Sequence, residues 1–480
     1  MSDRFQFNEE AVRKTYKNGN QFAHKSGSKI KLFPFTANDK KLNDAKEDLK
    51  SFHGVIGSIT RIMSGTKLPN NFKPAKDLIE KAIEKTQTDS EESLEDILRQ
   101  VIFQENGNLV IFSKQVYPYL KNNGDASVLN GIADLYTSLF INKDVEIESI
   151  IRGNNTQNAL YDLVTSCLPE LEKNKKKDTV GYHSSLSSLI QVFQNDLKFL
   201  MSDDRVFTEN FDKLLKYYFF SYISNYSLQL NQFFDTKIQH RIYASFDTES
   251  LSQSRDPYLN GWKMLETKIE NLFSHANALD LLHFIEDRDN ILPNVFDYTE
   301  LYAFLSNFSE EDQKSYQDEV YKLTVFYKSE LDKLNFTWAN FEEEVKKNKY
   351  PNDELKNSIW KVWHLIDLQF QKDKKGRNRA YSAYGNWFKA FCKENFNRNR
   401  GRLGQTISIT QDYLLFLVLI CIGNKPDHKI KLNDLWEEIE KRGIFLDHST
   451  RDEMTEFLAK INLLETKSDS GDAQYVKQIL

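Results

Sequence analysis

An uncharged run of 18 residues, Tyr217 to Phe234, sets the strongest limit on the fold. It reads YYFFSYISNYSLQLNQFF. So many rings must leave water, yet Ser, Asn and Gln are spread through the run, and a lipid-facing helix avoids them. The run is therefore expected as a buried core helix of a water-surrounded protein. The rest of the sequence favours helices too. Only 9 Pro and 18 Gly interrupt 480 residues, and few breakers mean long helices. Apolar residues recur at helical spacing in SSLSSLIQVFQNDLKFLM, VFTENFDKLLKYYFF, GWKMLETKIENLFSHANALDLLHFIE and SEEDQKSYQDEVYKLTVFYKSELDKL. No repeat period is visible. The expected class is mainly α: a multi-helical body with a C-terminal winged-helix domain.

A chain of this length holds about two to four domains of roughly 100–200 residues. Net charge is −6, so nucleic-acid binding has to come from a local basic patch. Cys167, Cys392 and Cys421 are far apart and odd in number. They offer neither a disulfide framework nor zinc spacing, and a reducing, cytoplasmic setting is expected. MSDRFQFNEEAVRKTYKNGN has no apolar core, so no secretory signal is expected. LLFLVLICIG is far shorter than the ~20 residues that cross a bilayer, and no membrane association is expected.

Four regions follow. Residues 1–70 are mixed and irregular, expected as an N-terminal arm. Residues 71–371 form the helical body. There TDSEESLEDILRQVIF opens with Thr88 and Glu91 in capping-box spacing and continues with Leu94, Ile97, Leu98 and Val101. GNLVIF, from Gly107 to Phe112, is the best isolated strand, and CLPELEKNKKKDTVGYH the clearest exposed loop. Residues 372–406 are a basic aromatic helix and linker. Residues 407–480 run helix, strand KIKL, helix NDLWEEIEKRGI, helix DHSTRDEMTEFLAKINLL, then two strands around Asp469–Asp472. Asn433 is the expected N-cap and Gly443 the C-terminal stop of the second helix. That order is a winged helix. Its expected core is Leu415, Leu419, Leu435, Trp436, Ile439, Phe457, Leu458 and Tyr475.

Catalytic signatures are weak. No GxxxxGKS/T, GxSxG or HExxH occurs, and GSITRIMSGTK reads as a surface turn. HFIEDRDN gathers His283, Glu286, Asp287 and Asp289, a grouping expected at a solvated helix end rather than around a metal. Glu354-x-Lys356 in PNDELKN has nuclease-like spacing but begins a helix, and His364 on that helix reads as a core or rim histidine. No metal or cofactor is expected.

The strongest functional signal is basic. Lys372, Lys374, Lys375, Arg377, Arg379, Lys389, Lys393, Arg398, Arg400 and Arg402 are opposed only by Asp373 and Glu394. Such clusters attract phosphate backbones through counterion release, and Arg adds bidentate geometry. Tyr381, Tyr384, Trp387, Phe388 and Phe391 share one helical face and are expected in the core rather than as base-stacking platforms. From Ile407 to Leu480 nine Lys/Arg meet thirteen Asp/Glu, a net of 9 − 13 = −4. An acidic winged helix is expected to dock protein, with Lys467 and Lys477 available for minor backbone contact.

NRNRGRLGQT leading into the apolar helix, and the closing LLETKSDSGDAQYVKQIL, resemble the G component of phosphorothioation-dependent DNA restriction systems (DptG, or DndG). The resemblance covers about residues 355–480. It implies a defence protein working with F and H components, in which the ATPase or translocase activity belongs to the partners and DNA lacking backbone sulfur is attacked. It brings no catalytic motif. The expected function is a non-catalytic subunit contacting the double-stranded DNA backbone. The alternatives are a nuclease assembled from distant residues and a pure protein adaptor.

Overall fold

The computed structural model describes residues 3–18, 21–24, 27–86, 90–104, 107–122, 126–141, 158–174, 181–235, 240–289, 297–332, 342–370, 378–466 and 474–478. The protein is mainly helical, with a few small sheets. Buried side chains from Phe5 to Val476 form one continuous cluster. Among the described residues no helix is long and apolar enough to cross a membrane.

The chain opens with strand β1 (Phe5–Phe7) and helix α1 (Glu9–Tyr16), whose N-cap Asn8 accepts from the Ala11 N–H. Helix α2 (His53–Ser64) follows. The composition of this region predicts an irregular arm that packs on the body or on a partner. The region carries helices, and it packs into the core through Phe5, Val12, Tyr16, Val55, Ile56 and Ile59. Asp280, far along the chain, accepts the backbone N–H groups of Ser28, Lys29 and Ile30 at 3.0, 2.7 and 3.0 Å and the Tyr16 hydroxyl. The surface turn expected in GSITRIMSGTK is mostly α2 itself. Its small residues allow close approach: a Cβ on Gly57 would lie 2.1 Å from the Leu120 carbonyl oxygen.

Helix α3 (Glu91–Ile102) is capped by Ser90, while Thr88 lies outside the described residues. Leu98 is buried, but Ile97 is half exposed. The strand expected at Gly107–Phe112 is reduced to a single bridge, Phe103 to Leu109. In the expected loop after Cys167, Glu172–Lys173 pairs with Thr66–Lys67.

Helices α4 (Ser187–Leu200) and α5 (Asp204–Gln232) come next. The 29 residues of α5 span about 44 Å, and the uncharged run forms its buried half. The polar residues in that run hold the C-terminal region. Ser221 Oγ donates to the Arg442 carbonyl at 2.7 Å, and Asn225 Nδ2 to that of Gly443 at 3.0 Å. Gly443 has φ +87°, and a Cβ there would lie 2.3 Å from Ser221 Oγ, so both turn and crossing require glycine.

Strand β2 (Ser245–Phe246) precedes α6 (Trp262–Glu270) and α7 (Leu272–Leu282). The periodicity predicts helix through this stretch. It breaks at Asn271, whose side chain donates to Asn231 and accepts from the Tyr381 hydroxyl at 2.6 Å. Strand β3 (Ile285–Asp287) pairs antiparallel with β1, Phe5 opposite Asp287. Helix α8 (Glu310–Asp332) covers the other edge of β1, where Ser315 and Glu319 accept the Phe5 and Phe7 N–H groups. Helices α9 (Glu354–Phe370) and α10 (Asn378–Asn395) complete the body. His364 on α9 is buried, and its Nε2 lies 2.8 Å from the Glu344 carbonyl oxygen.

Strands β4 (Asn397–Asn399) and β5 (Gln405–Ile409) form a hairpin, and β5 also pairs parallel with β2. After α11 (Gln411–Ile422) come β6 (Lys429–Lys431), α12 (Leu432–Lys441), α13 (His448–Lys460), β7 (Leu464–Thr466) and β8 (Gln474–Lys477), with strand order β6-β8-β7. Helix α12 begins at Leu432, so Asn433 is inside its first turn and not its cap. The turn at Asp469–Asp472 lies outside the described residues. Leu435, Trp436, Ile439 and Leu458 are buried, while Leu415, Leu419, Phe457 and Tyr475 are only partly so.

Candidate nucleic-acid interface

Helix α10 and the β4–β5 hairpin form the described part of the basic segment. Lys372, Lys374, Lys375 and Arg377 lie outside the described residues. The aromatic face of α10 turns inward. Tyr381, Tyr384, Trp387, Phe388 and Phe391 are all buried, and Trp387 Nε1 donates to the Asn38 carbonyl at 3.2 Å. Phe391 packs edge-on against Phe219 of α5, with ring centroids 4.9 Å apart. The rings therefore anchor the helix and offer no face to a base.

The basic residues divide by what they touch. Lys389 pairs with Glu270 at 3.1 Å and Glu266 at 3.4 Å, both on α6. Arg400 reaches inward: its Nη2 donates to the Phe246 carbonyl at 2.7 Å and to Ser245 Oγ at 3.1 Å, and its Nη1 donates to the Glu249 carbonyl. Burial, and then the neighbouring Arg398, lower its pKa from the usual value. Arg398 is exposed and donates through Nη1 to the Asp247 carbonyl. Arg379, Lys393 and Arg402 are exposed and form no ion pair among the described residues. Lys393 ends α10, and Arg402 sits in the turn between β4 and β5. The hairpin is thus fastened by Arg400 and Arg398 and exposes Arg402 in its turn, while Lys393 is exposed in the last turn of α10, which leads into it.

Sequence reasoning missed what secures the segment 245–255. The Glu249 carboxylate is buried and accepts the Phe246 N–H at 2.7 Å, Arg255 Nη1 at 2.9 Å and the Thr450 hydroxyl at 2.9 Å. Arg255 also grips Asp447, whose Oδ1 caps α13 by accepting the Thr450 N–H at 2.9 Å. One network therefore joins the basic hairpin to the N-terminus of α13. No local pattern announces it, because the bonds that tie segment 245–255 to Arg400, Asp447 and Thr450 join residues about 150 to 200 positions apart.

Burial alone would raise the Asp447 pKa, but bonds from Arg255 and Thr450 outweigh it and hold the carboxyl below its usual value. A depressed carboxyl stabilises the fold above its unfolded pKa, about 3.9, and that stabilisation is lost as pH falls through the folded value. The stability gap between the native protein and Asp447→Asn is therefore expected to be widest near neutrality and to close below about pH 4. Urea titrations at several pH values read it. A gap constant down to pH 2 would remove the ion pair from this account.

The acidic grouping near residue 286 is not a solvated helix end. Asp287 lies on β3 with its carboxylate held by Arg4 at 3.0 Å, and Glu286 is held by Lys29 at 3.0 Å and by Asn8. Among the described residues no three His, Cys, Asp or Glu side chains gather to hold a metal. No protein-family model matches this sequence, and no curated protein matches it.

Proposed function

We propose that this chain is a non-catalytic DNA-contacting and scaffolding subunit of a phosphorothioation-dependent restriction complex, with the chemistry carried by F and H partner components. The observation that supports it is the braced hairpin. Arg402, exposed and without an ion pair among the described residues, sits in the turn of a strand pair whose other arginines are fixed on carbonyl oxygens, and Lys393, likewise exposed and without an ion pair there, lies in the last turn of the helix that leads into it. Cations on a rigid support lose little entropy on meeting phosphate. The order α11, β6, α12, α13, β7, β8 with sheet order β6-β8-β7 supports reading the C-terminal region as a winged helix. The resemblance of residues 355–480 to the G component supplies the complex.

A salt titration of duplex binding tests the reading. The double variant Lys393→Ala/Arg402→Ala is expected to weaken binding equally across sequences, because phosphate contacts position and do not specify. The log–log salt slope should flatten by about 1.8, roughly 0.9 for each phosphate no longer neutralised. Unchanged affinity and slope would leave the hairpin a solvated turn.

A further inference from the structure

The three-stranded C-terminal sheet has one apolar and one cationic face. Ile430 and Val476 pair across β6 and β8 and are buried against the helices. Side chains alternate along a strand, so their neighbours point outward. The register sets Lys429 opposite Lys477 and Lys431 opposite Tyr475, with Glu465 of β7 beside Tyr475.

The lysine pair is an unfavourable placement. The Gln478 N–H donates to the His428 carbonyl at 3.0 Å, so bonded pairs fall at 428/478 and 430/476. Lys429 and Lys477 then form the non-hydrogen-bonded pair, where side chains stand closest and like charges destabilise. A single carboxylate offsets both: Glu465 lies 3.7 Å from Lys429 Nζ and 3.5 Å from Lys477 Nζ. Lys431 is exposed and makes no ion pair among the described residues. Among the described residues, three cations against one anion leave this face at 3 − 1 = +2.

Helix α13 has the opposite character. Asp452, Glu453 and Glu456 are exposed along it. Its basic side chains are engaged: Arg451 with Glu440, Lys460 with Glu456, and His448 with Asp452 at 2.7 Å. A duplex approaching α13 would meet carboxylates.

We propose that the outward face of β6-β8-β7 is a second phosphate-backbone contact, in which a phosphate oxygen takes over from Glu465 between Lys429 and Lys477. The assignment rests on the reading of the chain as a DNA-binding subunit. It makes the sheet, and not α13, the nucleic-acid side of the C-terminal region.

The test uses the full chain, a DNA duplex and two variants. Lys429→Gln/Lys431→Gln/Lys477→Gln is expected to weaken binding and flatten the salt slope by about 0.9 for each phosphate no longer neutralised. Glu465→Gln is expected to do the reverse, tightening binding, and misfolding cannot produce a gain. Two variants indistinguishable from the native chain overturn the assignment. If the native chain binds duplex and only Lys393→Ala/Arg402→Ala weakens it, the DNA reading stands and the sheet assignment falls. If the native chain binds no duplex, both fall. If the triple variant keeps its DNA affinity but no longer binds a partner subunit, the face docks protein and the assignment is overturned.

Discussion

Asp196→Ala is expected to destabilise the protein by about 3 kcal/mol, the low end of the cost of breaking a buried ion pair, because Glu438 still faces the guanidinium. Asp196 on α4 and Arg442 after α12 are both buried. Their contact is bidentate, Nε to Oδ2 at 2.9 Å and Nη2 to Oδ1 at 2.6 Å, and the Tyr218 hydroxyl donates to Oδ2 at 2.5 Å. Burial pushes the Asp196 carboxyl up, and Arg442 pulls it back. Removing the carboxylate leaves the guanidinium, among the described residues, with the carboxylate and carbonyl of Glu438 and the Ile420 carbonyl. The double variant Asp196→Leu/Arg442→Met is expected to recover much of the loss, since well-packed apolar pairs often equal a buried ion pair. Urea denaturation of both variants reads the result. A loss below about 1 kcal/mol for Asp196→Ala would mean that water reaches the guanidinium.

Trp387→Ala is the other large effect, expected at about 3–5 kcal/mol for a fully buried ring. Trp387 is 1% exposed, so its removal leaves a cavity between α10 and the Asn38 segment. DNA affinity should fall only where the protein unfolds. A variant of native stability with weakened DNA binding would instead make the ring a stacking platform.

The helices were legible where their pattern was local. The uncharged run of α5, the aromatic face of α10 and the helical spacing of Leu435, Trp436 and Ile439 in α12 each carry their burial in their own residue types. The C-terminal element order was legible for the same reason. What could not be read were partners distant in sequence. Arg400 in isolation has the chemistry of a phosphate ligand, yet the carbonyl it grips at Phe246 lies 154 positions earlier. Asp287 and Glu286 resembled a solvated cluster because Arg4 and Lys29, which neutralise them, stand at the other end of the chain. α2 was missed because glycine, serine and threonine are weak helix formers, and it is packing that favours them there. The basic patch was legible as charge, while its division into bracing and outward-facing residues depended on tertiary contacts.

The pairing of β1 with β3 has a consequence during synthesis. Arg4 and Asp287, at the ends of that pair, are 283 positions apart. At about 5–20 residues per second a ribosome needs roughly 15–55 s to cover that distance, and the nascent strand stays unpaired throughout. β2 waits again, since Ser245 meets Ile407 162 positions later. Phe5 and Phe7 therefore stay uncovered on chains that end before residue 285, and Phe246 on chains that end before residue 408, and until then their strands have unpaired edges. Stalled or truncated products will be sticky clients for chaperones, and slower synthesis at low temperature will raise the yield of folded protein only if a holdase keeps pace.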